Sequence, residues 1–297
     1  MSGTTEGLRR RIEGAGDLEG VVRSMKALAA SSLGQYERAV RSLDHYYRTV
    51  ELGLAACFRK SGAPPQRPAR ERGPAGAVIF GSDQGLVGRF NEVIADFAVN
   101  ELKARPGSQG RIWAVGERVQ ALMVDSGMAQ ASLLQAPLSV YGITPLVGRI
   151  LVEIVEARAR GEVGEVYVFH NRPRPGAAYE PVGRRLLPLD HAWQQSLVEL
   201  PWPTKSRPQV IEGATPALES FIRGYLFVLL FQACAESLAS ENASRLAAMQ
   251  RAEKNIGEIL EGLNRTFHRI RQEAIDEELF DVVSGYEALG GGKAGPR

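Results

Sequence analysis

The chain has two cysteines, four histidines and a formal charge of only +2, and each shortage removes a class of function. Cys57 and Cys234 stand far apart with no metal-ligand or redox spacing beside them, which excludes a disulfide framework, a zinc knuckle and a thioredoxin-type dithiol. They are expected to pack as small apolar residues in a reducing compartment. With 36 Lys and Arg against 34 Asp and Glu, the chain has no overall field to hold a polyelectrolyte, so no nucleic-acid partner is expected. Met1 to Arg11 is polar and leads into no apolar signal core, which predicts a protein that stays in the cytoplasm. The longest apolar run, Tyr225 to Phe231, falls well short of the roughly 18 to 20 residues of a membrane helix and reads as a buried seam.

Proline is missing where it would matter most for long helices: none precedes Pro64 and none lies between Pro216 and Pro296. From Leu8 to Phe58 the apolar residues step at helical intervals through Val22, Met25, Ala29, Leu33 and Tyr36, then Val40, Leu43, Tyr47, Val50 and Leu54. The alternation of four and three predicts a long helix with a coiled-coil seam over 1–60. Residues 61–76, dense in Pro, Gly and Arg, are expected to form a flexible linker. Residues 210–289 show the same helical period through Leu246, Met249, Ile256, Leu260, Leu263, Phe267 and Ile270, and 290–297 read as a disordered tail. Such a C-terminal helix is too long to fold back inside a compact domain and is expected to project. Residues 1–60 carry ten basic against seven acidic side chains and 213–289 carry seven against twelve, so opposite net charge favours pairing of the two ends.

Between them, 77–209 alternates short β-branched runs with helical stretches. Strands are expected at Ala77–Phe80, Arg111–Val115, near Leu133–Val140 and at Glu165–Asn171, with a further strand or hairpin at Tyr179–Leu189. Helices are expected at Asn91–Lys103, Glu117–Ser126 and Pro145–Arg160, with Pro201, Pro203 and Pro208 closing the domain. The fold class is therefore α/β plus α: a long antiparallel coiled coil of the N- and C-terminal helices with an inserted three-layer, Rossmann-like α/β domain.

The glycine-rich loop Gly81 to Gly88 follows a strand and precedes a helix, where a phosphate loop would sit, but it has neither the G-x-G-x-x-G spacing nor a G-K-[ST] ending. A structural strand-to-helix turn is the better reading, with Asp83 available to cap or to bond the turn. His45, His170, His191 and His268 have no second ligand at metal spacing, and no G-x-S-x-G occurs. The acidic cluster from Glu273 to Asp281 reads as a solvated helix face. Small residues at Ala27, Ala29, Ala30, Ser31 and Ser32, and again at Ala243, Ser244, Ala247 and Ala248, keep the helices slim. No catalytic site, metal or cofactor is expected.

Particular residues carry a family resemblance. Ser240-Glu241, Ala243, Arg245, Met249, Ala252 and Asn255 are similar to the S-E-x-x-A-R-M-x-A-M-x-x-A-x-x-N run of the gamma subunit of F-type ATP synthases, and Arg271-Gln272, Ile275, Glu278-Leu279 and Val283-Ser284-Gly285 to its C-terminal ending. Arg10-Arg11-Ile12 and Met25-Lys26 resemble its N-terminal elements, and Ser82-Asp83, Gly85-Leu86, Gly88 and Asn91 its S-D-R-G-L-C-G-x-x-N turn. The chain departs from the pattern at Gly20, Ser32, Gln84, Val87 and His268. The resemblance implies a non-catalytic central-stalk rotor that transmits torque between a membrane ion-translocating ring and a catalytic hexamer. The implied partners are the alpha and beta subunits, the epsilon subunit and the proteolipid ring, and the implied location is peripheral, on the cytoplasmic face of the bacterial inner membrane. Its implied contact residues are Arg10, Arg11, Met25, Lys26, Asp83, Gly85, Asn91, Glu241, Arg245, Met249, Asn255, Arg271 and Gln272. The competing expectations are a nucleotide- or metabolite-binding α/β regulator with a coiled-coil arm, and a coiled-coil scaffold that homodimerises through Tyr36 to Leu54.

Overall fold

A computed structural model describes residues 5–61, 74–105, 110–128, 131–174, 177–206, 208–209 and 214–290. Linker residues 62–73 and tail residues 291–297 lie outside the described residues. The first element, α1, is Thr5–Ser61, and the last, α6, is Ala214–Gly290. Between them come β1 (Ala75–Phe80), α2 (Phe90–Lys103), β2 (Ile112–Val115), α3 (Glu117–Asp125), β3 (Ala131–Leu134), α4 (Val140–Ala159), β4 (Glu165–Arg174), β5 (Ala177–Leu187) and α5 (His191–Glu199). The chain divides into two compact units, one of Met1–Ala27 with Met249–Arg297, the other of Leu28–Ala248.

The first unit is the antiparallel pairing of helical segments from the two chain ends. The heptad pattern sets its buried side: Leu8 and Met249 are buried, and Ile12, Ala15, Glu19, Val22, Met25, Ala252, Ile256, Leu260, Leu263, Phe267 and Ile270 are half-buried, at three- and four-residue steps along each helix. Charged side chains on the outer positions pair along the helix, as in Glu6–Arg10, Arg9–Glu13 and Glu19–Arg23. Glu253 ties the two helices directly: Lys26 Nζ lies 2.6 Å from its Oε2 and Arg23 Nε 3.8 Å from its Oε1.

The second unit is built on a five-stranded sheet of order β3-β2-β1-β4-β5. The first four strands are parallel and β5 runs antiparallel to β4. β1 and β2 are buried along their whole length, as expected of parallel strands covered on both faces. Val78, Phe80, Trp113, Val115 and Val168 face Ile143, Val147 and Ile150 of α4 and Leu54, Phe58, Leu230 and Cys234 of the long helices. On the other face Ala77, Ile79, Ile112, Ala114 and Phe169 meet Ile94, Ala98 and Leu102 of α2 and Val119 and Met123 of α3. Both cysteines are free and buried. Length and composition alone would allow α6 to cross a membrane. Within it, however, the Tyr225 to Phe231 run packs into the sheet core.

Several boundaries differ from the sequence expectation; β4 runs on to Arg174 and β5 is Ala177–Leu187, where Asn171 and Tyr179–Leu189 were expected. β1 takes in Ala75 and Gly76, two residues assigned to the linker, because pairing with Glu165 and Val166 extends the parallel ladder. The third strand is Ala131–Leu134, earlier than Leu133–Val140, since its bonding partner is β2. α4 begins at Val140 and not at Pro145: the Gly142 N–H bonds the Ser139 carbonyl at 3.0 Å, and Pro145 lies one turn inside, where it forfeits a single backbone bond. Finally, His191 opens a helix and not a loop. Asp190 caps α5, its carboxylate accepting the Ala192 N–H at 2.9 Å.

Candidate functional site

The candidate site residues separate by unit. In the Leu28–Ala248 unit, a face of α6 carrying short polar side chains lies against the C-terminal ends of β1 and β4. Ser237 Oγ donates to the Phe80 carbonyl at 3.4 Å, Ser240 Oγ to the Asn171 carbonyl at 3.0 Å, and Ser244 Oγ to the Val87 carbonyl. Small side chains allow this close approach, and each hydroxyl donates to a buried residue's backbone carbonyl.

The loop of Gly81 to Gly88 is held from within. Ser82 N–H donates to Asn91 Oδ1 and Asn91 Nδ2 to Ser82 Oγ, both at 2.9 Å, while Ser82 Oγ donates to the Gln84 carbonyl. Asp83 joins three segments: Oδ1 accepts the Glu117 N–H at 3.0 Å at the start of α3, and Oδ2 accepts the Ala136 N–H at 3.1 Å beyond β3. The Gly81 N–H goes to the Val115 carbonyl at 2.8 Å. The first two amides of the turn, Gly81 and Ser82, are thus committed to protein acceptors, and Asp83 places a carboxylate in it, which disfavours a phosphate there. Gly81 itself is required by close packing, because a Cβ there would lie 2.5 Å from Val119 Cβ.

Glu241 and Arg245 form a buried ion pair, Oε1 to Nη2 at 2.7 Å, with side chains 9% and 12% exposed. Burial raises the Glu241 carboxyl above the ordinary carboxylate range; Arg245 opposes that shift, and the nearby Asp83 adds to it. On α1, Tyr36 is pushed up to about 12, first by burial and then by the Glu241 charge. The pair thus lies among the Gly81–Gly88 turn and both long helices, which brings Asp83, Asn91, Glu241 and Arg245 into one region. Gly85 sits half-buried on the turn.

In the other unit, Lys26 makes the cross-helix pair and Met25 and Met249 contribute to the seam. Arg10, Arg11, Asn255, Arg271 and Gln272 are exposed there.

Two groups escaped sequence reasoning. His170 Nε2 on β4 meets Glu236 Oε2 on α6 at 2.8 Å, a buried pair between residues 66 apart in sequence, so no local spacing could announce it. Asn171 Nδ2 donates to the Phe90 carbonyl at 2.9 Å, and its own carbonyl receives Ser240. Among the described residues no group of three or more His, Cys, Asp or Glu side chains could hold a metal ion.

This packing of α6 on the turn uses the Ser240 to Arg245 run that carries the family resemblance. The profile of the ATP synthase family matches residues 4–289. The chain belongs to the gamma family of ATP synthases. Its curated relatives include the ATP synthase gamma chain of Cupriavidus metallidurans, 29% identical over 97% of this chain and 100% of the relative. The ATP synthase gamma chain of Nitrosomonas eutropha is 25% identical, over 95% of this chain and 98% of the relative. Among solved structures the fold is similar to a chain of the Euglena gracilis mitochondrial ATP synthase OSCP/F1/c-ring in rotational state 3, with a TM-score of 0.63 at 18% identity over 99% of this chain and 98% of that one. A chain of the rotor of the same synthase in rotational state 1 aligns at a TM-score of 0.60 and 18% identity, over 92% of this chain and 99% of that one. As a gamma chain, the protein is one subunit of a larger enzyme complex.

Proposed function

We propose that the chain is the central-stalk rotor of a bacterial F-type ATP synthase and makes no covalent or acid-base contribution to the chemistry. The observation that carries this reading is the surface of the two-helix unit. Past Ile270 every side chain of α6 through Glu287 is exposed, including Leu279, Phe280, Val282 and Tyr286 at 62%, 71%, 70% and 79%. An apolar surface of that extent on a slender helix requires surrounding chains to cover it. The alpha and beta subunits of the hexamer supply that enclosure, and the α/β unit meets the epsilon subunit and the proteolipid ring. The complex then sits on the cytoplasmic face of the inner membrane with this chain as a peripheral subunit.

An asymmetric shaft acts by contact energy. Each beta site takes the conformation that its contacts with the facing side of the shaft favour, so rotation moves the three sites through successive states only as far as those contacts differ. Ion flow through the ring turns the shaft in one direction and ATP hydrolysis in the other. Arg10, Arg11, Asn255, Arg271 and Gln272 lie exposed on the unit assigned to the hexamer and are proposed as its contacts. Met25, Lys26 and Met249 hold the shaft together. Asp83, Gly85, Asn91, Glu241 and Arg245 set the seat of α6 on the α/β unit.

The test is reconstitution of the complex with a chain truncated before Val282. Hydrolysis is expected to persist while torque and ATP-driven ion pumping fall. Complete loss of hydrolysis in a correctly assembled complex would overturn the rotor reading.

A further inference from the structure

Beyond the rotor role, a cleft of about 390 Å³ opens beside β5, the edge strand of the sheet, among α2, α5 and α6. That volume falls within the range of small-molecule sites. It is lined by Arg105, Arg184 and Arg185, together with Tyr167, Trp193 and Tyr225.

The charge balance of the wall is positive once its internal bonds are counted. Two carboxylates also line it, and both are committed. Glu101 Oε2 is bonded by Arg105 Nη2 at 2.8 Å, and Asp190 caps α5. Arg184 and Arg185 have no carboxylate partner among the described residues. Arg184 Nη2 instead donates to the Tyr225 hydroxyl at 3.0 Å, a bond that fixes the guanidinium without pairing it to a carboxylate. Arg105 is oriented by the Tyr167 ring, its Cζ 4.3 Å from the ring centroid.

Next to these cations is a preformed aromatic surface. Trp193 and Tyr225 stack with centroids 4.2 Å apart and planes inclined by 25°. Tyr225 is buried, so the pair is held rigidly, while Trp193 is only partly buried at the cleft. Guanidinium groups at fixed positions favour the oxygens of a phosphate, and an indole offers its face or edge to a second ring.

We propose that this cleft binds a nucleoside polyphosphate, with the phosphates on Arg184 and Arg185 and the base against Trp193. The glycine-rich turn at Gly81 to Gly88, the place a sequence reading would search for a nucleotide, instead carries the Asp83 carboxylate and commits its Gly81 and Ser82 amides to protein acceptors. A ligand here would contact α6, α5 and the sheet edge at once and could bias the seating of α6 without entering a catalytic site. Binding at this cleft and the rotor role stand independently, since neither requires the other.

Equilibrium dialysis of the purified full chain against labelled ATP tests the site, with tripolyphosphate and adenosine as competitors. Saturable binding of one ATP per chain is expected, weakened at least about tenfold in both Arg184→Ala and Arg185→Ala, the loss of a charge-assisted hydrogen bond. Both competitors should displace ATP far less well than unlabelled ATP does. Arg185→Ala leaves the Tyr225 bond intact, so it reads binding even if Arg184→Ala disturbs folding. Absence of saturable binding, full affinity in the arginine variants, or either fragment competing as well as ATP would overturn the proposal.

Discussion

His170 on β4 and Glu236 on α6 meet through Nε2 and Oε2 at 2.8 Å, with side chains 10% and 11% exposed, and so fasten the last helix to the sheet. Burial opposes ionisation of Glu236, yet the His170 hydrogen bond, the Gln232 amide and the Arg172 charge together hold its carboxyl below the ordinary carboxylate range. Removing Glu236 leaves the buried His170 Nε2 without its hydrogen-bond partner, so Glu236→Ala is expected to destabilise the fold by about 1–3 kcal/mol, read by thermal or denaturant unfolding.

The same pair sets a pH dependence. Because the folded value of Glu236 is depressed, its stabilisation is fully present above the unfolded carboxylate value and is lost as pH falls through the folded one. The wild-type chain should lose stability faster than Glu236→Gln on acidification below about pH 4. Parallel acid titrations of the two proteins would refute this link if their midpoints moved together.

Arg245→Ala should be among the most damaging changes outside the apolar core, since it strands Glu241 in a buried setting. The folded value of Glu241 is already raised, so ionising it disfavours the folded state, and stability falls as pH rises toward neutrality. Without Arg245 that loss should deepen. Glu241→Gln in the Arg245→Ala background should restore part of the stability at neutral pH, and equal melting temperatures for the single and double variants would contradict this account. In a reconstituted complex, Arg245→Ala is expected to impair coupling or assembly more than nucleotide binding at the beta subunits.

Asp83→Ala removes acceptors from the Glu117 and Ala136 amides. A destabilisation of about 1–3 kcal/mol is expected, with ATP hydrolysis by the assembled complex retained. A folded, assembled complex that no longer hydrolysed ATP would assign Asp83 a role in the chemistry.

Lys26 and Glu253 provide a test of helix pairing. Reversing either charge should weaken the two-helix unit slightly, and the double swap Lys26→Glu with Glu253→Lys should recover it, with an effect that shrinks in high salt. A double-mutant cycle on melting temperature measures the coupling directly.

The long helices were legible because proline is absent from them beyond Pro216 in the first turn of α6 and their apolar residues keep a heptad step, both local properties of the chain. The sheet was legible for a similar reason: Ala77 to Phe80 and Ile112 to Val115 are continuous apolar runs, which only strands covered on both faces require. Strand ends were less so, because Ala75 and Gly76 join β1 only through partners near residue 165. α5 was missed since its capping Asp190 and three residues, His191, Trp193 and Leu197, carry too short a helical pattern to stand out.

The sequence alone therefore determined the element types and the resemblance of the Ser240 to Arg245 run, both of which depend on residues close together in the chain. Tertiary structure decided what that run does. It places Ser237, Ser240 and Ser244 on acceptors at Phe80, Asn171 and Val87, sets Glu236 against His170, and gathers Arg105, Arg184 and Arg185 around Trp193. Contacts of that kind depend on how distant segments fold together, and burial then fixes their strength by stripping water from charges and hydroxyls that the sequence shows only as polar letters.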